Sequence, residues 1–353
     1  MTAACPSCTA STVDGDRFCE SCGADLSAPA GLTAPADLPA PDLPAPDLSV
    51  FDLSVADFSA AADGPAGGAV WRSSRAAGGP CAACGGGVGT DGYCDGCGLR
   101  RGAGRDHAED DLPGVSAVTD RGLRKGRNED AYAIGVAGGR RAVVVCDGVS
   151  SAPDSDAAAT TAAVEAIEVL VGGGDVAAAY RAASAAVAEL ADPGARFDAP
   201  ACTFLAAVVE DGQVTVGWVG DSRAYWLDGD GARCLTVDDS LAGQLAAAGV
   251  DAAALRLSAQ AAALTRWLGA DAPAGDPHLT TLRPSTAGVL LLSSDGLTRY
   301  PAWTGAVDTP GVDRLARRLA AFARDAGGAD NITVAAVAFD PGPPATDPSR
   351  GAP

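Results

Sequence analysis

Residues 113–340 are predicted to form an α+β layered sandwich, and three observations carry that reading. Apolar, strand-like runs alternate with stretches of helical period; two long helical stretches follow the first few strands as a pair; and the strands after them come in succession, joined by short turns such as Glu210-Asp211-Gly212. Strands in direct succession pair antiparallel, whereas a βαβ parallel sheet interposes a helix at each step. In chain order, strands are expected at 115–119, 131–137 and 142–147, helices at 155–171 and 175–191, and strands at 202–210, 213–219, 222–227 and 232–236. A helix at 240–248, strands at 278–283 and 287–293, a helix at 312–326 and a strand at 332–339 complete the set. The Ala-rich, weakly patterned stretch 249–277 reads as a flap, and 341–353 as a disordered tail.

Composition narrows the function before any motif is found. The 353 residues carry a formal net charge of −20, and residues 1–112 and 113–353 each hold −10 of it. The acids are 38 Asp and 7 Glu; the bases are 24 Arg and a single lysine, Lys125. Such a surface repels polyanions, so neither nucleic acid nor an anionic membrane is expected as a partner. No run of about 18 apolar residues suggests a membrane span. No charged n-region followed by an apolar h-region marks a signal peptide, so a cytoplasmic location is expected. With only His107 and His278 present, chemistry that needs several imidazoles is excluded.

Eight of the eleven cysteines fall into two sets of paired knuckles. Cys5, Cys8, Cys19 and Cys22 form one, with ten residues between the pairs; Cys81, Cys84, Cys94 and Cys97 form the other, with nine. Four thiolates at this spacing wrap one tetrahedral Zn²⁺. Two similar sets without a signal peptide favour zinc over a disulfide framework or a redox pair. Two structural Zn²⁺ ions are therefore expected, in ribbons at 3–27 and 79–100. Segments so short cannot bury a sufficient core, so the metal supplies their folding energy. The first ribbon carries Asp14, Asp16, Glu20 and Asp25 against Arg17, which favours protein contact or a purely structural role over nucleic acid. Cys146, Cys202 and Cys234 read as inert core residues.

Between the ribbons, residues 28–78 are dominated by Pro, Ala and Asp. Asp37-Leu38, Asp42-Leu43, Asp47-Leu48, Asp52-Leu53 and Asp57-Phe58 recur every five residues. That period suits neither helix nor strand, and Pro39, Pro41, Pro44 and Pro46 block both. A disordered spacer is expected. A plain spacer and a multivalent acidic-apolar strip that docks a protein partner both fit. Residues 101–112 read as a second connector.

In the main domain, acids gather where strands begin and end. Asp147-Gly148 ends the run Ala142–Cys146, Asp221 follows Val214–Gly220, Asp295 follows Val289–Ser294, and Glu129-Asp130 and Asp330 precede strands. Any one of them fits an ordinary turn. Together they suggest one carboxylate rim, whose repulsion hard, oxygen-loving Mg²⁺ or Mn²⁺ would relieve.

Six segments appear in order: Thr119–Ala131 (TDRGLRKGRNEDA), Val145–Gly148 (VCDG), Val219–Tyr225 (VGDSRAY), Leu264–Gly269 (LTRWLG), Ser294–Leu297 (SDGL) and Asp330–Val334 (DNITV). Together they closely resemble the metal-dependent protein phosphatase 2C family of serine/threonine phosphatases, over about 115–339. The ribbons ahead of that region resemble an actinobacterial version. The resemblance implies a four-layer αββα sandwich, two antiparallel sheets flanked by helix pairs, with two Mn²⁺ or Mg²⁺ ions at one end. It implies that Asp147 bridges both ions, the Gly148 carbonyl holds one, Asp295 and Asp330 hold the other, and Glu129 and Asp130 act mostly through metal-bound waters. Asp221 with Asp295 would form a weak third site. A metal-activated hydroxide would attack phosphorus in line, without a phosphoenzyme. Phosphoserine and phosphothreonine proteins, including substrates of bacterial serine/threonine kinases or the kinases themselves, are the implied partners.

Several positions depart from the family pattern. Where the family places a phosphate-gripping Arg, four residues before Glu129, stands Lys125, a point charge without a bidentate fork. Arg124 and Arg127 flank it as candidate substitutes. Val149 stands where some eukaryotic members have a histidine general acid, which would leave protonation of the leaving group to a metal-bound water. Ala201-Cys202-Thr203 and Asp239-Ser240 replace a common Gly-Thr-Thr and His-Ser, and neither removes an implied metal ligand. A catalytically weak or inactive phosphatase-like scaffold that docks partners through its zinc ribbons and linker is the competing reading.

Overall fold

Side chains alternate between the two faces of every long strand, and here both faces are apolar, so each sheet is covered twice. The computed structural model describes residues 2–4, 11–13, 69–74, 96, 106–192, 199–247, 263–306 and 311–341. The chain divides into two units, Met1–Leu53 and Ser54–Pro353. In the first, β1 (Thr2–Ala4) pairs antiparallel with β2 (Ser11–Val13).

The second unit holds the remaining elements. They open with β3 (Val70–Ser73), β4 (His107–Leu112), β5 (Val115–Asp120), β6 (Ala131–Ala137) and β7 (Arg140–Cys146). Helices α1 (Ser155–Val171) and α2 (Val176–Ala188) follow, then β8 (Phe204–Glu210), β9 (Gln213–Val219), β10 (Arg223–Asp228) and β11 (Gly231–Cys234). The rest are α3 (Leu241–Ala247), β12 (His278–Leu282), β13 (Gly288–Ser293), the short α4 (Asp295–Thr298), a 3-10 turn (Pro301–Ala306), α5 (Val312–Asp325) and β14 (Ile332–Phe339). One sheet has the order β11-β10-β13-β14-β5-β4 and the other β12-β9-β8-β7-β6-β3. Every neighbouring pair is antiparallel.

The alternation builds three cores. Tyr132, Ile134, Val143, Val145 and Leu205 of one sheet meet Leu290, Leu292, Ala335 and Val337 of the other. The opposite faces of the same strands, through Ala133, Val144, Phe204 and Ala206, meet Ala158, Ala162, Ile167 and Leu170 of α1. Val289, Leu291, Val334 and Ala336 meet Leu315, Ala316, Leu319 and Ala323 of α5. The result is the expected layering: helices, sheet, sheet, helix. A stripe of alanines lets α1 lie close on its sheet, and Gly135 completes the fit, since a Cβ there would overlap Val171.

Several expectations need correction. The expected disordered spacer 28–78 contains β3, an edge strand paired to β6, with Trp71 packed on the α1 core. The expected connector 101–112 contains β4, paired to β5 along its whole length. Charge hid β4 from the sequence reading: Asp110 accepts a hydrogen bond from the buried Tyr132 hydroxyl at 2.9 Å, and Glu109 and Asp111 are both clasped by Arg317 of α5. The helix pairs are unequal: α1 and α2 form one, whereas the other face carries α5 with the short α4 and the 3-10 turn. The strand expected from 202 starts at Phe204, because Cys202 instead bridges Gly148 and Leu268. Cys146 and Cys202 are buried, but Cys234, on the edge strand β11, is exposed. The ribbon cysteines, the Asp-Leu repeat, the tail after 341 and residues 249–262 of the expected flap lie outside the described residues. Among the described residues, no helix is long and apolar enough to cross a membrane.

The two edge strands belong to the folding unit. A fragment starting at residue 113 leaves the Tyr132 hydroxyl without its Asp110 acceptor and strips Trp71 from the core. It should be less stable to urea than a 69–341 fragment by about 2–4 kcal/mol, from a lost buried hydrogen bond and lost aromatic burial.

Candidate active site

The acids at the strand ends converge because antiparallel strands of two stacked sheets end on one rim. Asp147 leaves β7 held from both sides: its N–H donates to Thr203 Oγ1 at 2.9 Å and its carbonyl accepts from Thr203 N–H at 2.7 Å. Thr203 is in turn linked to Ser222 at 2.9 Å. The next residue must be glycine, since a Cβ on Gly148 would stand 2.6 Å from the Glu129 carbonyl and 2.8 Å from that of Ser155. Asp295 opens α4 directly after β13, and a Cβ on Gly296 would overlap the Asn331 carbonyl. The two Asp-Gly pairs are thus packing requirements as well as turns.

Asn331 ties the loop before β6 to the start of β14. Its amide donates to the carbonyls of Arg121 (2.8 Å) and Arg127 (2.9 Å), and its oxygen accepts from Glu129 N–H at 2.9 Å. The buried Asp130 carboxylate accepts from Ser294 Oγ and Thr333 Oγ1, both at 2.8 Å and both on Oδ2. Its Oδ1 is buried with no hydrogen-bond partner. Glu129 is fully engaged by protein: Ser155 Oγ donates to it at 2.6 Å, Ser150 Oγ at 2.7 Å, and Arg127 through two nitrogens at 2.8 and 3.0 Å. These bonds make Glu129 a brace between the loop before β6, the turn after β7 and α1.

A cavity of about 520 Å³ opens above this floor. Asp147, Gly148, Asp221, Asp295, Asp330 and Lys125 line it, so six of the residues singled out from sequence are brought together. Glu129, Asp130, Arg124 and Arg127 do not line it. Arg127 instead faces Glu129 and stands 3.7 Å from Asp156. Lys125 Nζ pairs with Asp330 Oδ1 at 2.6 Å and donates to Ser150 Oγ at 2.8 Å. Arg299, missed from sequence, lines the cavity too, and one of its guanidinium nitrogens, Nη2, meets both Asp295 (2.7 Å) and Asp330 (2.9 Å). Its spacing, four residues after Asp295, was the available signal. On the far wall stand Leu264 and Trp267, whose indole N–H donates to Asp271. Neither histidine lines the cavity: His107 bonds Asp120 and Glu109, and His278 bonds Asp239 and stacks on Trp218.

Burial, then the other carboxylates, raises Asp147 well above the usual carboxylate range. Burial lifts Asp130 to about 7, against the pull of its two hydroxyl donors, and lifts Asp221 to about 7 with help from Asp295. Burial also raises Asp295, opposed by Arg299. Burial works against the charge on Lys125, but Asp330 outweighs it and the ammonium is held charged. Among the described residues, no three His, Cys, Asp or Glu are drawn close enough to chelate an ion by themselves. Asp330 pairs with both Lys125 and Arg299, and Asp295 with Arg299. The chemistry of the donor set, all oxygen and in excess of its cations, with the unpartnered Asp130 Oδ1 behind it, fits hard divalent ions. The eight cysteines expected to bind Zn²⁺ lie outside the described residues, and no zinc-binding group is found among those described.

The profile of the family described as Protein phosphatase 2C matches residues 123–333. Among solved structures, the chain is similar to the PPM Ser-Thr phosphatase MsPP from Mycobacterium smegmatis in complex with cacodylate: 28% identity, 65% of this chain and 99% of that one, TM-score 0.55. It is similar to the serine/threonine phosphatase PstP/Ppp of Mycobacterium tuberculosis, at 26% identity over 64% of this chain and 98% of that one, TM-score 0.55. The catalytic domain of PstP in complex with two manganese ions matches at 26% identity over 64% and 98%, TM-score 0.53. No protein with a curated description matches the chain.

Replacing Asn331 by Ala should cost about 2–4 kcal/mol in urea unfolding, because one N–H and two carbonyls lose their partner together. The loop bearing Lys125 should also become more sensitive to limited proteolysis.

Proposed function

The chain belongs to the protein phosphatase 2C family, and from that premise we propose that it hydrolyses phosphoserine and phosphothreonine monoesters of proteins with two bound Mn²⁺ or Mg²⁺ ions. The observation that carries this reading is the gathering of Asp147, Asp221, Asp295 and Asp330 around one cavity whose only cationic lining residues, among those described, are Lys125 and Arg299. The residues that would hold the ions are Asp147, the Gly148 carbonyl, Asp295 and Asp330, with Asp221 and Asp295 for a weaker third. Bound there, the ions supply a water of lowered pKa as nucleophile and neutralise charge on the phosphoryl oxygens.

The protein's own contribution is positioning. Thr203 and Ser222 fix the backbone of Asp147, and Asn331 fixes the loop that carries Lys125. Lys125, steadied by Ser150, places a point charge where a phosphoryl oxygen would lie. Leu264, Trp267, Ala199 and Ala201 give the cavity an apolar wall that limits water. Among the described residues, neither cysteine nor histidine lines the cavity, which fits direct hydrolysis without a phosphoenzyme. The inactive-scaffold reading has no observation in its favour, since every implied metal ligand is present. Docking of partners through zinc-bound ribbons and the Asp-Leu repeat, and a role opposite bacterial serine/threonine kinases, are part of the same proposal.

The full chain should hydrolyse p-nitrophenyl phosphate and a phosphothreonine peptide when given Mn²⁺. Asp147→Asn should lower kcat by about 10³-fold while leaving the metal-free protein at least as resistant to urea. No turnover across Mn²⁺, Mg²⁺ and Co²⁺ would defeat the reading. Lys125→Ala should raise KM for the peptide about tenfold, as expected for one lost charge-assisted hydrogen bond, and Lys125→Arg should not.

A further inference from the structure

We propose that Arg299 supplies the bidentate phosphate contact that Lys125 cannot make. The inference rests on the phosphatase reading and adds a substrate-contacting residue to it. Three observations carry it.

First, Lys125 and Arg299 are the only cationic side chains lining the cavity among the described residues, and they reach it from different elements. Lys125 lies on the loop before β6. Arg299 caps α4, its backbone N–H held by the Asp295 carbonyl at 3.0 Å. Second, the two already share one anion: Lys125 Nζ takes Oδ1 of Asp330 at 2.6 Å and an Arg299 nitrogen takes Oδ2 at 2.9 Å. A group with two anionic oxygens is thus gripped between an ammonium and a guanidinium, the contact a phosphoryl group also invites. Third, the Arg299 side chain lines the cavity and keeps 48% of its surface exposed, so it is open to a ligand there.

The carboxylates that engage Arg299 here, Asp295 and Asp330, are those assigned to the ions. Once they serve as metal ligands, the guanidinium on the cavity wall needs another anion, and the substrate phosphate is the one present. Planar, two-point recognition then comes from Arg299, and Lys125 adds a point charge.

The competing role is a purely internal counter-ion that holds Asp295 and Asp330 in place. The two roles separate when phosphate binding and metal binding are read independently on the full chain. Inorganic phosphate binding to the Mn²⁺-loaded protein and Mn²⁺ binding itself are measured by calorimetry, alongside KM and kcat for a phosphothreonine peptide. Arg299→Ala should weaken phosphate binding and raise KM by about 10–100-fold, the loss of a two-point charged contact, with Mn²⁺ affinity undiminished. Arg299→Lys, which keeps the charge and the fold but not the fork, should fall between. Adding Lys125→Arg to Arg299→Ala should restore most of the phosphate affinity, because it returns a fork to the cavity. Unchanged phosphate affinity in both single variants, or a loss confined to Mn²⁺ affinity, would overturn the proposal. A wild type without metal-dependent turnover would defeat the phosphatase reading, while phosphate binding would still decide the role of Arg299.

Discussion

Like charges crowded into a buried rim are the constraint on which the rest of the site depends. Asp130, Asp147, Asp221 and Asp295 are each pushed above the usual carboxylate range by burial, and each pushes its neighbours. A fold keeps such an arrangement only if the backbone beneath it is over-determined and cations are at hand. Both conditions are met. Thr203 holds Asp147 from two sides, Asn331 holds the loop before β6 by three hydrogen bonds, and Ser294 and Thr333 hold Asp130. Lys125 and Arg299 supply positive charge, and bound divalent ions would supply the remainder.

The double sandwich makes this possible because it separates the tasks. Three apolar cores anchor the strands along their length, so the strand ends can carry polar and strained features at little risk to the fold. Close packing of small residues adds precision: the alanines of α1 against β6 and β7, and Gly148 and Gly296 pressed against neighbouring carbonyls, leave the two Asp-Gly turns little room to shift. Rigid elements, not mobile loops, therefore place Asp147 and Asp295.

The outer edges follow a different logic. β3 and β4 lie at the ends of the two sheets and are held by a few specific contacts: Trp71 on the α1 core, Asp110 under the Tyr132 hydroxyl, and Arg317 clasping Glu109 and Asp111. Charged edge strands of this kind also resist pairing with other chains.

Much of this was legible in the sequence. The alternating strands of the two central sheets, α1, α2 and α5, and the metal-ligand candidates Asp147, Asp221, Asp295 and Asp330 could be located because period and strand-end position are local properties of the chain. The family resemblance lay in ordered motifs and was readable for the same reason. Other features depended on partners far away along the chain. The strands at Val70–Ser73 and His107–Leu112 gain their stability from β6 and β5, and their own composition looked like linker. Whether Arg127 or Lys125 faces the cavity was decided by where Glu129 and Asp330 stood, since the guanidinium and the ammonium each turn toward the carboxylate within reach. The place of Arg299 beside Lys125 was decided by β13 and β14, which bring Asp295 and Asp330 together. Sequence determined which residues end up on the rim; tertiary structure decided which of them meet, because charge pairing acts through space and the chain records only order.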